Sequence, residues 1–158
     1  MWDNILHVIN GFIMGAIGLS LIELLNDTKE IKLHPIFIAI VSFSFSMTIG
    51  VCWEFFEYGM DTSFKLDMQK DTIIESINSV TFDPNNLNKV YSLEIDSLEV
   101  NGENWLDKYG GYIDIGLIDT MNDLIVNFIG ALTFSIIGYF YSRKHETNKL
   151  KKIMIVSK

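Results

Sequence analysis

The chain alternates between long apolar runs and blocks of charge. Residues 5–25, 36–58 and 117–141 are predominantly apolar. Each run reaches the about 20 residues that a helix needs to cross a bilayer. Residues four apart lie on nearly the same helix face. On that spacing the first run reads Asp3, His7, Gly11, Gly15, and the second Ser42, Ser46, Gly50, Glu54. The third reads Asp119, Asp123, Asn127, Ala131, Ser135. Each face is a stripe of small residues running into a polar or acidic end. Small residues let membrane helices approach closely, as Gly11-x-x-x-Gly15 would. The faces that pack best are therefore those that bring the ionisable groups together.

Residues 61–116 interrupt this pattern. Residues 70–79 are expected to form a short helix, with Ile73, Ile74 and Ile77 on one side. Phe82-Asp83-Pro84-Asn85-Asn86 is loop chemistry. Tyr91, Leu93 and Ile95 alternate with polar residues, and Leu98 and Val100 continue an extended pattern. Asn101-Gly102 is a hairpin turn signal, and residues 103–105 begin the return strand. Gly110-Gly111 reads as a hinge before the third long helix, and Asp119-Thr120 as a helix-start signal in which Asp119 caps exposed N–H groups. The fold class expected is an all-α membrane protein: three transmembrane helices with a small extracytoplasmic α+β hairpin cap between helices 2 and 3.

Composition supports insertion. The 158 residues are 49% hydrophobic and 20% charged, with a mean hydropathy of +0.26. A soluble bundle of three such helices would have too little polar surface to cover it. Met1-Trp2-Asp3-Asn4 lacks the basic start of a secretory signal peptide. The single Cys52 excludes an internal disulfide and reads as a small packing residue beside Trp53.

The net charge of −8 is unevenly spread. Arg143, Lys144, Lys149, Lys151, Lys152 and Lys158 follow the third run. The positive-inside rule places that tail in the cytoplasm. Three spans then put the N-terminus outside, the 26–34 loop with Lys29 and Lys32 inside, and the acidic 61–116 segment outside. The expected organisation is 1–60 for helices 1 and 2, 61–116 for the cap, 117–142 for helix 3 and 143–158 for a basic tail. Pro35 suits the first turn of the second helix, where a missing N–H costs little. Trp53, Phe55, Phe56 and Tyr58 read as an aromatic belt at its outer end. The expected location is a bacterial cell (inner) membrane. The basic tail is accounted for by topology, and nucleic-acid binding is not expected.

Ionisable groups in or beside a bilayer are costly, which makes them functional candidates. Glu54, Glu57 and Asp123 are the candidates for acid–base catalysis. His7, Glu54, Glu57, Asp119 and Asp123 are the candidate metal ligands. Helical neighbours three or four apart have Cβ atoms roughly 5–6 Å from one another, so Glu54 with Glu57, and Asp119 with Asp123, form carboxylate pairs. Near low dielectric such a pair keeps a proton or recruits a cation. A divalent cation held by carboxylates would be hard, such as Mg²⁺, Ca²⁺ or Mn²⁺, and His7 would admit Zn²⁺. Asp3 and Asp61 read first as acids facing interfacial water, and Glu23 as reaching cytosolic water or Lys29. His7 with Asn10 reads equally as interhelical hydrogen-bond glue, and Asn122 and Asn127 read as glue rather than as ligands. No His-Glu-x-x-His, phosphate loop or nucleophile elbow is present.

The ordered set of motifs resembles the YjdF-like family of bacterial integral membrane proteins. The resemblance rests on His7 with Asn10-Gly11, Trp53-Glu54-Phe55-Phe56-Glu57, and Asp119-Thr120-x-x-Asp123 with Asn127-x-x-Gly130-Ala131. Asp67-Met68-Gln69-Lys70-Asp71-Thr72 is similar to the outer segment of relatives from low-GC Gram-positive bacteria. The family lends no mechanism. Its members usually carry further spans before the His motif, so the resemblance implies a shortened or partial version of a longer protein. Beside the lipid bilayer, the expected partners are additional membrane helices or, because three spans are few for a transporter, further copies in a homo-oligomer. The Asp123, Asn127, Gly130 spacing is similar to VanZ-like envelope proteins and implies cell-envelope chemistry.

The sequence thus points to a polar acidic/His site near the outer leaflet, binding a cation or a cell-envelope substrate. Two alternatives use the same residues. One is a small proton- or cation-coupled transporter subunit. The other is a structural protein whose polar residues only pack helices.

Overall fold

A computed structural model describes the backbone of residues 2–28 and 33–156, and the side chains of 4–25 and 33–145. Among the described residues, three helices are long and apolar enough to cross a membrane. They are α1 (Trp2–Thr28), α2 (Pro35–Phe64) and α4 (Leu117–Val156). The side chains of Asp3 and of the tail lysines from Lys149 onward lie outside the described residues, as do Lys29 and Lys32.

The start of α2 is set locally. Pro35 opens the helix, and His34 Nδ1 accepts the Ile36 N–H at 3.3 Å, which satisfies an orphan donor of the first turn. The helix ends at Lys65 in the left-handed conformation, φ 54°. It therefore projects beyond the apolar run that was expected to close at Tyr58. The α4 helix likewise continues through the charged tail.

All three long helices touch one another. Small residues make the contacts close. A Cβ at Gly130 would collide with the Val8 carbonyl oxygen, one at Gly50 with the Asn127 amide, and one at Gly11 would lie 2.5 Å from the Asn127 carbonyl oxygen. Edge-to-face pairs fill the wider gaps, with Phe12–Phe134 centroids 4.9 Å apart and Phe43–Phe128 5.4 Å.

The distribution of polarity is inverted relative to a water-soluble bundle. Among the described residues, the buried apolar side chains are Leu19, Ile38 and Ala131. His7, Ser42, Ser46, Glu54, Glu57, Asp123, Asn127, Ser135 and Ser142 are buried in the same bundle. Ile13, Ile40, Ile125, Ile129, Ile136 and Phe140 face outward. In water this arrangement would expose apolar surface and pay to bury polar groups. In lipid the outward apolar side chains are at home, and polar groups are driven inward.

The cap between α2 and α4 is built from three antiparallel two-stranded ladders. Strand β1 (Ile73–Ile74) pairs with β6 (Tyr112–Ile113), and β2 (Ser76–Ser79) with β3 (Tyr91–Glu94). The third ladder is β4 (Glu99–Val100) with β5 (Glu103–Asn104). Asn101 and Gly102 have φ of 53° and 80°, the positive pair that a tight hairpin turn requires. A short helix α3 (Trp105–Tyr109) follows and closes at left-handed Gly110. The β1–β6 ladder ties the two ends of the cap together above the bundle.

Several expectations are corrected. Ile73–Ile74 and Ser76–Ser79 form strands, not a helix: β-branched isoleucines pair with partners from distant parts of the cap, which local periodicity cannot register. Cys52 is exposed on the apolar surface and is not a packing residue. Asn10 and Asn122 are exposed and so do not bridge helices, whereas Asn127 is buried and wedged between Gly11 and Gly50. Glu23 accepts a hydrogen bond from Ser142 Oγ at 3.1 Å, so it engages α4 rather than pointing away from the bundle. Gly111 is no free hinge, because a Cβ there would strike the Ile74 carbonyl oxygen across the β1–β6 ladder.

Candidate metal centre

The cap end of the bundle gathers its charge. His7 comes from the second turn of α1, Glu54 and Glu57 from the late turns of α2, and Asp123 from the second turn of α4. All four are buried, with Asp123 at 2% exposure and Glu54 at 4%. One ligand atom from each of the four lies within 4.8 Å of all the others. The Gly50 and Gly130 contacts position them, because larger residues there would hold the three helices apart just below the cluster.

Both ring nitrogens of His7 face carboxylates. Nδ1 is 3.8 Å from Glu54 Oε1, and Nε2 is 3.3 Å from Asp123 Oδ2. A neutral imidazole has one N–H, so its other nitrogen presents a lone pair. That lone pair and a carboxylate oxygen attract only through a second proton or a cation between them. Glu57 Oε1 accepts from Trp53 Nε1 at 2.8 Å, which orients it toward the cluster. Glu54 Oε2 is buried without a hydrogen-bond partner. Three carboxylates in low dielectric repel one another, so the arrangement either retains protons or takes up compensating positive charge.

The remaining predicted residues act around this centre. Asp119 lies close enough to Glu54 to interact electrostatically, but its Oδ2 accepts the Lys70 N–H at 2.8 Å. It stands outside the four-residue group. Capping of α4 falls instead to Asp114. Its carboxylate accepts from Ile118 N at 2.8 Å, Gly116 N at 3.2 Å and, across the cap, Thr72 N at 2.7 Å. Burial alone would raise the Asp114 carboxyl, but these N–H groups outweigh it and hold it below the ordinary range. Asp61, expected to face interfacial water, accepts Met68 N at 2.7 Å and Gln69 N at 2.9 Å. The nearby Asp71 carboxyl is raised by burial and then by Asp67, Asp114 and Asp61. The base of the cap is therefore strongly negative, a field that concentrates cations around it.

Trp53, Gln69 and Thr120 take part in this arrangement and were not among the expected site residues. Trp53 is four residues from Glu57, so its role was accessible from helical spacing; its aromatic character pointed to a membrane belt instead. Gln69 Nε2 donates to Thr120 Oγ1 at 2.6 Å, a pairing across the cap that carries no local signal. Elsewhere in the cap, Asp83 accepts from the backbone N–H groups of Asn85, Leu87 and Lys89. Those bonds, first that of Asn85 and then that of Lys89, hold its carboxyl below the ordinary range. Asp83 organises the loop and has no part in the cluster.

Residues 1–144 match the family described as Predicted membrane protein (DUF2238), and the chain belongs to that family. No curated protein and no solved structure matches it.

Proposed function

We propose that this protein binds a divalent cation between His7, Glu54, Glu57 and Asp123, at the outer-leaflet end of a bacterial cell-membrane bundle. The bound cation activates water or polarises an envelope lipid or peptidoglycan precursor. The observation that carries the reading is Glu54. Its carboxylate is buried within a ring of three other potential ligands, and one of its oxygens has no protein partner. Helix packing alone gives no reason to retain such a group. One imidazole and three carboxylates suit Mn²⁺ or Zn²⁺ better than Mg²⁺, which favours an all-oxygen octahedron.

The sidedness follows from charge. Arg143 and Lys144 lie at the opposite end of α4 from the cluster, which under the positive-inside rule supports an outward-facing cluster and cap. The organisation we adopt is 1–60, 61–116, 117–142 and 143–158, with the N-terminus out and the tail in the cytoplasm. The resemblance of the motif set to YjdF-like proteins supports a bacterial membrane. The VanZ-like spacing of Asp123, Asn127 and Gly130 supports an envelope substrate by analogy. A transporter subunit would use the same carboxylates; beyond the cluster the Ser42 and Ser46 hydroxyls are spent on the Gly15 and Gly11 carbonyls, and Leu19, Ile38 and Ala131 share the interior with them.

Metal analysis of detergent-purified protein tests the proposal. After incubation with Mn²⁺ and removal of excess, the wild type is expected to hold about one ion per chain, and Glu54→Gln and Asp123→Asn to lose it while keeping their helical circular dichroism. A wild type that neither purifies with nor takes up Mn²⁺ or Zn²⁺ would refute the metal reading.

A further inference from the structure

The strap that leaves α2 turns back over the cap end of the bundle and is held there by carboxylates that stand outside the four-residue cluster. Asp61 clamps the N–H groups of Met68 and Gln69, one on each oxygen, and Asp119 takes the N–H of Lys70. Three consecutive backbone donors are thus fixed by two acids, one from α2 and one from α4. Gly116 closes the fit, since a Cβ there would lie 2.7 Å from Gln69 Cβ. The side chain delivered by this clamp is Gln69, which is half-buried. Its amide nitrogen donates to Thr120 Oγ1 at 2.6 Å. The same amide also interacts with the Glu54 carboxylate, without closing a hydrogen bond to Oε2.

We infer that Gln69 is the outer, neutral ligand of the cation site, and that Asp61, Asp119 and Thr120 are positioning residues that place it. The inference rests on the metal reading above. Its chemistry turns on the two ends of the carboxamide. With no cation present, the N–H₂ end facing Glu54 supplies the positive edge of a dipole to a carboxylate that lacks a counter-charge. With a cation present, a half-turn of the amide presents Oε1, and side-chain carbonyl oxygens are ordinary ligands of hard divalent ions. Thr120 makes that turn inexpensive. A hydroxyl both donates and accepts, so it keeps a hydrogen bond to whichever end of the amide is turned toward it. The four buried groups thus supply the charge, and the strap supplies a removable fifth ligand on the side from which the ion and an envelope substrate arrive. A water or substrate oxygen would take its place during turnover.

The proposal separates from a structural role for Gln69 by the sign of two substitutions. Mn²⁺ binding to the full-length protein in detergent is followed by the loss of the free-ion EPR signal. Gln69→Glu adds an anionic oxygen at the outer position and is expected to tighten Mn²⁺ binding, whereas Gln69→Leu removes the ligand and is expected to weaken it by roughly 10-fold or more. Thr120→Val and Asp61→Asn, which act through Gln69, are expected to weaken binding by a smaller factor, and neither should add to Gln69→Leu. If Gln69 only braced the strap, both substitutions at 69 would shift affinity in the same direction or not at all, and either result overturns the inference while leaving the four-residue site standing. A wild type that binds no Mn²⁺ removes the metal reading and this inference with it.

Discussion

The two halves of the bundle both bury polar side chains, and they do so in different ways. Below the cluster, Ser46 Oγ donates to the Gly11 carbonyl at 2.7 Å and Ser42 Oγ to the Gly15 carbonyl at 2.6 Å. Each hydroxyl joins α2 to α1 through a backbone oxygen that a glycine leaves accessible. These are neutral, local and complete interactions. At the cap end, His7, Glu54, Glu57 and Asp123 lean on one another, their charges are unbalanced, and Glu54 Oε2 has no partner. Polarity used for packing closes on itself. At the proposed binding end it leaves a buried carboxylate oxygen unpaired. Ser135 breaks the rule in the packing half, because its buried Oγ also lacks a partner.

The contrast is broken most severely by neutralising the cluster. The pair Glu54→Gln and Asp123→Asn is expected to weaken divalent-cation binding by roughly 100-fold or more, as read by Mn²⁺ titration, with little loss of helix. The reverse should hold in the packing half. Gly18 lies against Phe45 and Ser42, where a Cβ would already sit 3.0 Å from Phe45 Cβ. Gly18→Leu should therefore destabilise the bundle by about 1–3 kcal/mol, measured by unfolding in detergent, while the folded fraction still binds one ion.

A third expectation concerns the strap and its pH dependence. The Asp114 carboxyl sits below its ordinary range because N–H bonds favour the ionised form over the opposition of burial. A group whose pKa is depressed by folding contributes stability above its unfolded value, and that contribution disappears as pH falls through the folded value. Hydrogen exchange at Thr72, Gly116 and Ile118, corrected for intrinsic rates, should therefore lose protection below the ordinary carboxylate range. Asp114→Asn should show reduced protection already at neutral pH and no such loss on acidification. Equal pH profiles for the two proteins would remove Asp114 as the tie between strap and helix.

The smallest effects sharpen the comparison within the packing half itself. Ser46→Ala removes an interhelical hydrogen bond and should cost about 0.6 kcal/mol, the average for such bonds in membranes. Ser135→Ala removes an unsatisfied hydroxyl and should be neutral or stabilising. Both are read by the same unfolding measurement, and neither should alter Mn²⁺ affinity. A Ser135→Ala protein that loses cation binding would mean that the polar line continues from the cluster into the bundle, as a transporter would need.

Much of this division was legible along the chain. His7, Glu54 and Asp123 each fall on a small-residue stripe of their own helix, and the stripes are what pack. Glu57, one turn past Glu54, follows from the same register. Asp119 shares a face with Asp123 yet is drawn out of the cluster, because the Lys70 N–H offers it a donor. Spacing on α4 could not reveal that competition, since the donor belongs to a strap 49 residues away. Cys52 and Trp53 show the same limit in miniature. They are neighbours in sequence and both exposed, but the Trp53 indole reaches one turn ahead along the helix to hold Glu57.

Sequence alone determined the three spans, the hairpin at Asn101-Gly102 and the set of ionisable groups that no lipid-facing position could keep. Those are consequences of local quantities: run length, turn chemistry and the cost of charge in hydrocarbon. Tertiary structure decided which four groups share a centre, which acids serve as clamps, and that Ile73–Ile74 and Ser76–Ser79 pair as strands. Each of those outcomes depends on a partner far away in the chain. Helical spacing fixes a face only to within the drift of a 3.6-residue turn, and the close approach at Gly11, Gly50 and Gly130 then selects the rotation that turns His7, Glu54, Glu57 and Asp123 toward one point.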